Sequence, residues 1–313
     1  MHIKNKEALI FGLLGFVTII WGLNVIMVKY LSGIFPVIQM SAWRITIATV
    51  FLLLFTYKHW SKSVKAISIR SWILLFFIGF SSIFLHQIFL AKGLNLTSGS
   101  VGSLILGLNP LMTALFAMFL LGDKFELKRF IGIGLGFFGV ILIVGQPSHS
   151  GVSSLVGDAI VFLSMLAYVA GGLLIKKAVE EVNVLTVTTI SHVFGAILLL
   201  GTWMIQPSSE TVIPVEGFPY AVMIFSGCIA TALCTTLWNM AIQVIGPSRT
   251  TLFLNIMPLS SLFFAAIFLN EKIIWLHGIA LLFIMVGIYL GISRPKTQLQ
   301  VDYIKASEPI IKN

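Results

Sequence analysis

The sequence predicts an all-α polytopic membrane protein whose ten transmembrane helices form two inverted five-helix repeats. Three observations lead there. The 313 residues are 58% hydrophobic and 10% charged, with a mean hydropathy of +1.02, whereas a soluble domain carries about 25% charged residues. Apolar runs close to the ~20 residues that span a bilayer recur at 8–30, 38–57, 72–93, 99–121, 128–145, 153–176, 183–204, 217–242, 248–270 and 275–292. Finally, "NPLMTALFAMFLLGDK", from Asn109, returns 148 positions later as "MPLSSLFFAAIFLNEK", from Met257. The runs are too long for barrel strands of about 9–11 residues and lack their alternation.

The first run exceeds a signal-peptide core and no small-residue cleavage site follows it, so a retained span and a mature start at Met1 are expected. Trp21 and Asn24, three apart, share a helix face. An indole beside an amide suits a small amphipathic ligand; the alternative is helix packing with Asn24 as an interhelical hydrogen-bonding group. Gly22 between them permits a close neighbour.

In the second run Arg44 shares a face with Ser41 and Ala48. A cation at this depth needs a partner, water or an escape to the interface. It reads either as a contact for an anionic group at the outer mouth or as a structural, snorkelling arginine. His86 and Gln87 in the third run, and Trp238, Asn239 and Gln243 in the eighth, are polar or amphipathic groups at membrane depth. They suit a cavity wall, or interior hydrogen bonding between helices. Pro110 and Pro258 each free the carbonyl four residues earlier, at Leu106 and Leu254. With Asn109 and Asn255 nearby, they mark kinks that are either gating hinges or static bends. Gly132 and Gly136 in "GIGLGFFGV" read as close helix packing, since a phosphate loop needs a strand-to-helix turn.

The repeat pairs Pro110 with Pro258, Asp123 with Glu271, Lys124 with Lys272 and Gly139 with Gly287. At offset 147, Trp21 pairs with Tyr168 and Lys29 with Lys176. Two halves follow, 8–145 and 153–292, joined by the polar stretch "QPSHSGVSS" and followed by a tail, 293–313, that has lost its apolar period and is expected to be disordered and cytoplasmic. Five helices per half is an odd number, so the halves enter the membrane in opposite senses, the inverted-topology arrangement of many transporters. The alternative is a duplication kept for packing.

The net charge of +9 sets orientation rather than pointing to nucleic acid. With a cytoplasmic N-terminus and ten spans, sixteen of the twenty Lys and Arg fall on inner segments; Lys29, Lys92 and Lys272 are outer and Arg44 lies within a span, as the positive-inside rule requires. Both termini are then cytoplasmic, in a multi-pass plasma-membrane protein. Cys228 and Cys234, the only cysteines, fall on different faces of one helix and make no disulfide framework.

"WGLNVIMVKYL" at Trp21, "PVIQMSAWRI" with Arg44 and the two "P…(G/N)(D/E)K" segments together resemble the drug/metabolite transporter superfamily, specifically its EamA-like domain family. The resemblance spans nearly the whole chain between its terminal tails. It implies ten helices, cytoplasmic termini, a central cavity and movement of small metabolites, often amino acids and frequently outward. The second half departs from the first: Ser191 or His192 stands where the repeat would put Arg44, and Tyr168 replaces Trp21.

The chain is thus expected to be a secondary transporter of small metabolites, with no cofactor and no metal. Substrate-contacting candidates are Trp21, Asn24, Arg44, His86, Gln87, Trp238, Asn239 and Asn255, and gating candidates are Pro110 and Pro258. Of the eleven acidic residues only Asp158 falls inside a span. A midplane carboxylate relay is missing, so coupling must use His86, His192 or Asp158, or the substrate's own gradient. No nucleotide loop or zinc-ligand spacing appears. Two other classes stay open: an intramembrane hydrolase, with Ser100 or Ser103 meeting His86 or His192, and a lipid-linked substrate flippase, which needs lateral openings and a more apolar cavity. Substrate identity, direction and oligomeric state are not written in the sequence.

Overall fold

A chain crossing hydrocarbon must satisfy its backbone internally, and helices do so segment by segment. The computed structural model describes residues 2–57, 67–121, 127–143, 154–205, 216–245 and 250–292. Among them every regular element is helical. In chain order these are α1 (His2–Ser32), α2 (Val37–Thr56), α3 (Ile69–Leu96), α4 (Gly99–Leu106), α5 (Asn109–Leu121), α6 (Leu127–Ile143), α7 (Leu155–Glu181), α8 (Val184–Ile205), α9 (Gly217–Ile245), α10 (Thr251–Phe268) and α11 (Trp275–Ile292). The Asp123–Lys124 pair, most of the connection between the halves and the tail 293–313 lie outside the described residues.

Eight of these segments, α4 and α5 counting together as Gly99–Ala117, are long and apolar enough to cross a membrane; Phe130–Leu142 and Trp275–Leu290 are shorter apolar helices. The exposed surface carries large apolar side chains along many helices, among them Ile69, Met204, Ile205 and Tyr289. A soluble monomer does not expose such a surface. The chain is a polytopic all-helical membrane protein.

Serine starts three of the helices. Ser68, Ser98 and Ser154 accept from the backbone N–H groups of Ser71, Val101 and Gly157 at 3.0–3.1 Å, satisfying donors that a helix start leaves open. Two spans are not uniform: α3 contains a π-helical stretch at Gly79–Leu85, and α9 another at Ser226–Leu233. The first packs on α8 and the second on α2. Glycine permits both contacts, because a Cβ at Gly79 would lie 2.5 Å from the Ser191 carbonyl oxygen and one at Gly227 2.9 Å from that of Arg44.

Helix α6 lies against α11. A Cβ at Gly139 would meet the Ala280 carbonyl oxygen at 2.6 Å, and one at Gly287 that of Gly132 at 2.4 Å. The glycine run is therefore a packing surface, as its spacing indicates. Helix α1 meets α10 in the same manner: a Cβ at Gly22 would stand 2.6 Å from that of Ser260, and Ser261 donates to the Gly22 carbonyl at 3.0 Å.

Both proline segments depart from the α-helix. The chain turns at Gly107–Leu108 before Pro110, and Thr251–Asn255 is a 3-10 turn before Pro258. Pro removes the donor that would hold the preceding turn. Cys228 and Cys234 are both free thiols.

Candidate functional site

Helices α1, α3, α4, α7, α8, α9 and α10, with Asn109 at the start of α5, surround a central cavity. About 100 Å³ of it is open to the centres of water molecules. At roughly 10–15 Å³ per water by that measure, it holds about seven to ten waters, the size of an amino-acid-like molecule. Its wall mixes aliphatic side chains with Trp21, Asn24, Ser82, His86, Gln87, Asn109, Tyr168, Thr188, Ser191, His192, Thr231, Thr235 and Asn239.

The sequence candidates divide into two groups. Trp21, Asn24, His86, Gln87 and Asn239 line the cavity. Arg44, Trp238 and Asn255 do not. Trp238 is buried behind Trp21, with ring centroids 4.9 Å apart, so it supports the wall without forming it. Asn255 has a buried Oδ1 without a hydrogen-bond partner among the described residues. Pro110 and Pro258 are also outside the lining, yet Leu106 and Leu254, whose carbonyls they free, belong to it.

Trp21 is fixed in place. Its Nε1 donates to the Ala230 carbonyl in the π-helical stretch of α9 at 2.8 Å. Such a stretch leaves carbonyls off the α ladder, and the indole takes one of them. Tyr168 meets the Trp21 ring edge-on at 6.2 Å and the His86 ring at 5.0 Å.

Arg44 is fully buried. Its Nη2 donates to Gln87 Oε1 and its Nη1 to Ser226 Oγ at 3.3 Å, while Nε has no partner. No carboxylate pairs with it among the described residues. The Ser226 hydroxyl, accepting from Arg44, donates in turn to Asn24 Oδ1 at 2.5 Å. A guanidinium only donates, so both amides are turned with their oxygens toward the Arg44 side. Arg44 therefore reaches the cavity through Gln87 and Asn24.

On α8, His192 Nδ1 lies 2.8 Å from the Thr188 carbonyl oxygen. A carbonyl only accepts, so Nδ1 carries the proton. Thr188 Oγ1 donates to the Val184 carbonyl at 2.9 Å and accepts from Asn239 Nδ2 at 2.9 Å. His192 Nε2 and Asn239 Oδ1 are left buried without partners. On α3, His86 Nδ1 is 3.0 Å from the Ser164 carbonyl oxygen and 2.8 Å from its hydroxyl.

Sequence reading missed Thr188, His192, Tyr168 and Ser82 as wall residues. A signal was present for two of them: the repeat offset carries Trp21 onto Tyr168 and Arg44 onto Ser191 or His192. The hydrolase pairing does not form, because Ser100 bonds Glu271 and Ser103 donates to the Ser100 carbonyl. No metal-binding cluster occurs among the described residues.

One end of α4 closes against a neighbouring segment. Glu271, following Asn270 at φ 51°, accepts from the backbone N–H groups of Gly99 (2.8 Å) and Ser100 (3.0 Å) and from the Ser100 hydroxyl. A carboxylate is favoured at a helix N-terminus.

The profile of the EamA-like transporter family matches residues 8–145 and again 155–293. The uncharacterized transporter YyaM of Bacillus subtilis (strain 168) is 32% identical over 255 residues, 79% of this chain and 81% of its own length. The uncharacterized transporter YetK of the same organism is 24% identical, covering 92% and 87%. A WAT1-related protein of Arabidopsis thaliana, At4g01450, is 22% identical over 90% and 85%. A solved crystal structure superposes with a TM-score of 0.66 at 17% identity, over 94% of this chain and 98% of the other, a likeness of fold.

Proposed function

We propose, for a chain that belongs to the EamA-like transporter family, that it is a secondary transporter moving small polar metabolites, amino acids or related compounds, across the plasma membrane by alternating access, in the export direction. The central cavity carries this reading. It brings amides, histidines and an indole together at membrane depth, where polar groups are costly unless they serve packing or a pathway, and its volume fits a molecule of about ten heavy atoms or fewer.

In this reading the ten apolar helices form two inverted repeats, 8–145 and 153–292, with both termini in the cytoplasm. The family profile matching twice supports the duplication. So do the π-helical stretches, which begin at Gly79 and Ser226, 147 positions apart, the offset that pairs Trp21 with Tyr168. The bends before Pro110 and Pro258 are then the flexible points of the gating motion. An apolar lateral groove beside Leu23, Met27, Tyr30 and Phe218 is the one feature favouring a lipid-linked substrate. The cavity wall of Trp21, Asn24 and Asn239 speaks for a polar one.

The test is efflux from proteoliposomes loaded with a labelled mixture of amino acids and small metabolites, comparing wild type with Trp21→Ala and Asn24→Ala. Selective efflux that falls in both variants is the expected result. Absence of efflux for every compound, with and without ion gradients, would sink the reading.

A further inference from the structure

The cavity wall contains two kinds of unpaired polar edge. Thr188 creates the first. Its carbonyl takes the proton-bearing Nδ1 of His192, and its hydroxyl oxygen takes the amide nitrogen of Asn239. Both cavity-lining side chains are thereby fixed with an acceptor uncommitted: His192 Nε2 and Asn239 Oδ1. The two residues are 1% and 2% exposed. An unpaired buried acceptor costs about 1–3 kcal/mol, and here two hang from one residue.

Arg44 creates the second kind. By claiming Gln87 Oε1 directly and Asn24 Oδ1 through Ser226, it leaves the NH₂ groups of these two cavity-lining amides as the uncommitted ends. Arg44 also holds a buried positive charge that no carboxylate of the described residues offsets.

We propose that His192 Nε2 and Asn239 Oδ1 form the subsite for the amino group of the substrate, while the amide NH₂ groups of Asn24 and Gln87, oriented by Arg44, take its carboxylate. The substrate class is a small zwitterion bearing both groups. This rests on the transporter reading above and narrows it. Neither acceptor is charged, so the ligand's ammonium is balanced by its own carboxylate beside the arginine network. A lone amine adds charge to a cavity already near Arg44, and a lone carboxylate leaves both acceptors unpaired. Thr188 and Arg44 are positioning residues that act through the groups they orient.

The experiment uses full-length protein in lipid nanodiscs and a panel of amino acids, each with its deaminated acid and its decarboxylated amine. Direct binding is measured for wild type, Asn239→Leu, Asn239→Asp, His192→Phe and Arg44→Gln, with thermal unfolding as the check on folding. Wild type is expected to prefer the zwitterion over the deaminated acid by roughly tenfold or more. In Asn239→Leu and His192→Phe that preference collapses while the deaminated acid binds as before. Asn239→Asp, which keeps an acceptor and adds a negative charge, gains affinity for the decarboxylated amine. Arg44→Gln weakens carboxylate-bearing compounds and leaves the amines unaffected, a split that loss of packing alone does not produce.

Equal wild-type binding of amino acid and deaminated acid means that water alone serves the two acceptors, and overturns the proposal. So does an Asn239→Leu variant that weakens both compounds alike, or Asn239→Asp without gain for the amine. Metabolite efflux by wild type with no preference for amino compounds removes the subsite and leaves the transporter reading standing. No efflux of anything removes both.

Discussion

At Glu271 one carboxylate accepts three hydrogen bonds from the first turn of α4, two of them from backbone. Hydrogen bonds to a charged group contribute about 1.5–3 kcal/mol each, and the site is nearly closed to solvent. Glu271→Ala is expected to lower stability by roughly 2–4 kcal/mol, and Ser100→Ala, which keeps both backbone donors, by about 1 kcal/mol. Thermal unfolding in lipid nanodiscs checks the ranking; equal losses for the two variants count against it. Asn270 makes the approach possible, because its φ of 51° lies in a region that Asn and Gly tolerate best. In the sequence the matching position of the first half is Gly122, the other residue suited to that backbone. Residue-scale chemistry was partly legible: Trp21, Asn24, His86, Gln87 and Asn239 stand out as polar or amphipathic in apolar runs, and all five line the cavity. Arg44 stands out too, but its indirect reach depends on Ser226, an ordinary serine until two helices meet.

Among the elements, the pairing of α6 with α11 makes the sharpest case. Gly139 faces the backbone of α11 at a distance no side chain tolerates, whereas Gly134, on the same helix, has nothing within 4 Å of the place a Cβ would occupy. Gly139→Ala is expected to destabilise the pair, while Gly134→Ala is neutral or stabilising by up to ~1 kcal/mol through helix propensity. The same unfolding measurement separates them, and similar losses in both would argue that glycine acts here through flexibility instead of contact. The sequence spacing announced close packing but could not name the partner, since many helices offer small residues. The breaks before Pro110 and Pro258 were legible because proline removes a donor wherever it stands. The π-helical stretches were not, because "GFSSIFL" and "SGCIATAL" contain nothing that distinguishes a π turn from an α turn.

For the whole molecule, the apolar runs announce the helices and the repeat pairs positions across the halves. The cavity, by contrast, required knowing which faces converge, and periodicity is weak in helices that are apolar all round. The two buried carboxylates among the described residues, Asp158 and Glu271, lie outside the cavity wall; Asp158 accepts from Thr97 at 2.5 Å and Glu271 caps α4. Without a carboxylate relay along the path, transport is expected to follow the substrate's own gradient or to exchange one substrate for another. Efflux from proteoliposomes should continue when a protonophore collapses the proton gradient. If it stops, His86 and His192 become the proton carriers to examine.

The π-helical stretches have a consequence for how such a wall can change over generations. A residue inserted into an α-helix swings everything beyond it by about 100°, and a π turn is the form in which a helix absorbs that insertion locally. His86 and Gln87 follow directly on the stretch in α3, and Asn239 lies just beyond the one in α9. Their aim is thus a property of chain length as much as of side-chain identity: deleting a single residue upstream would point the same residues elsewhere with almost no change in composition. Relatives that have lost or gained one residue there would line the same cavity with different neighbours, a route to new cargo that comparison of aligned residues alone would overlook.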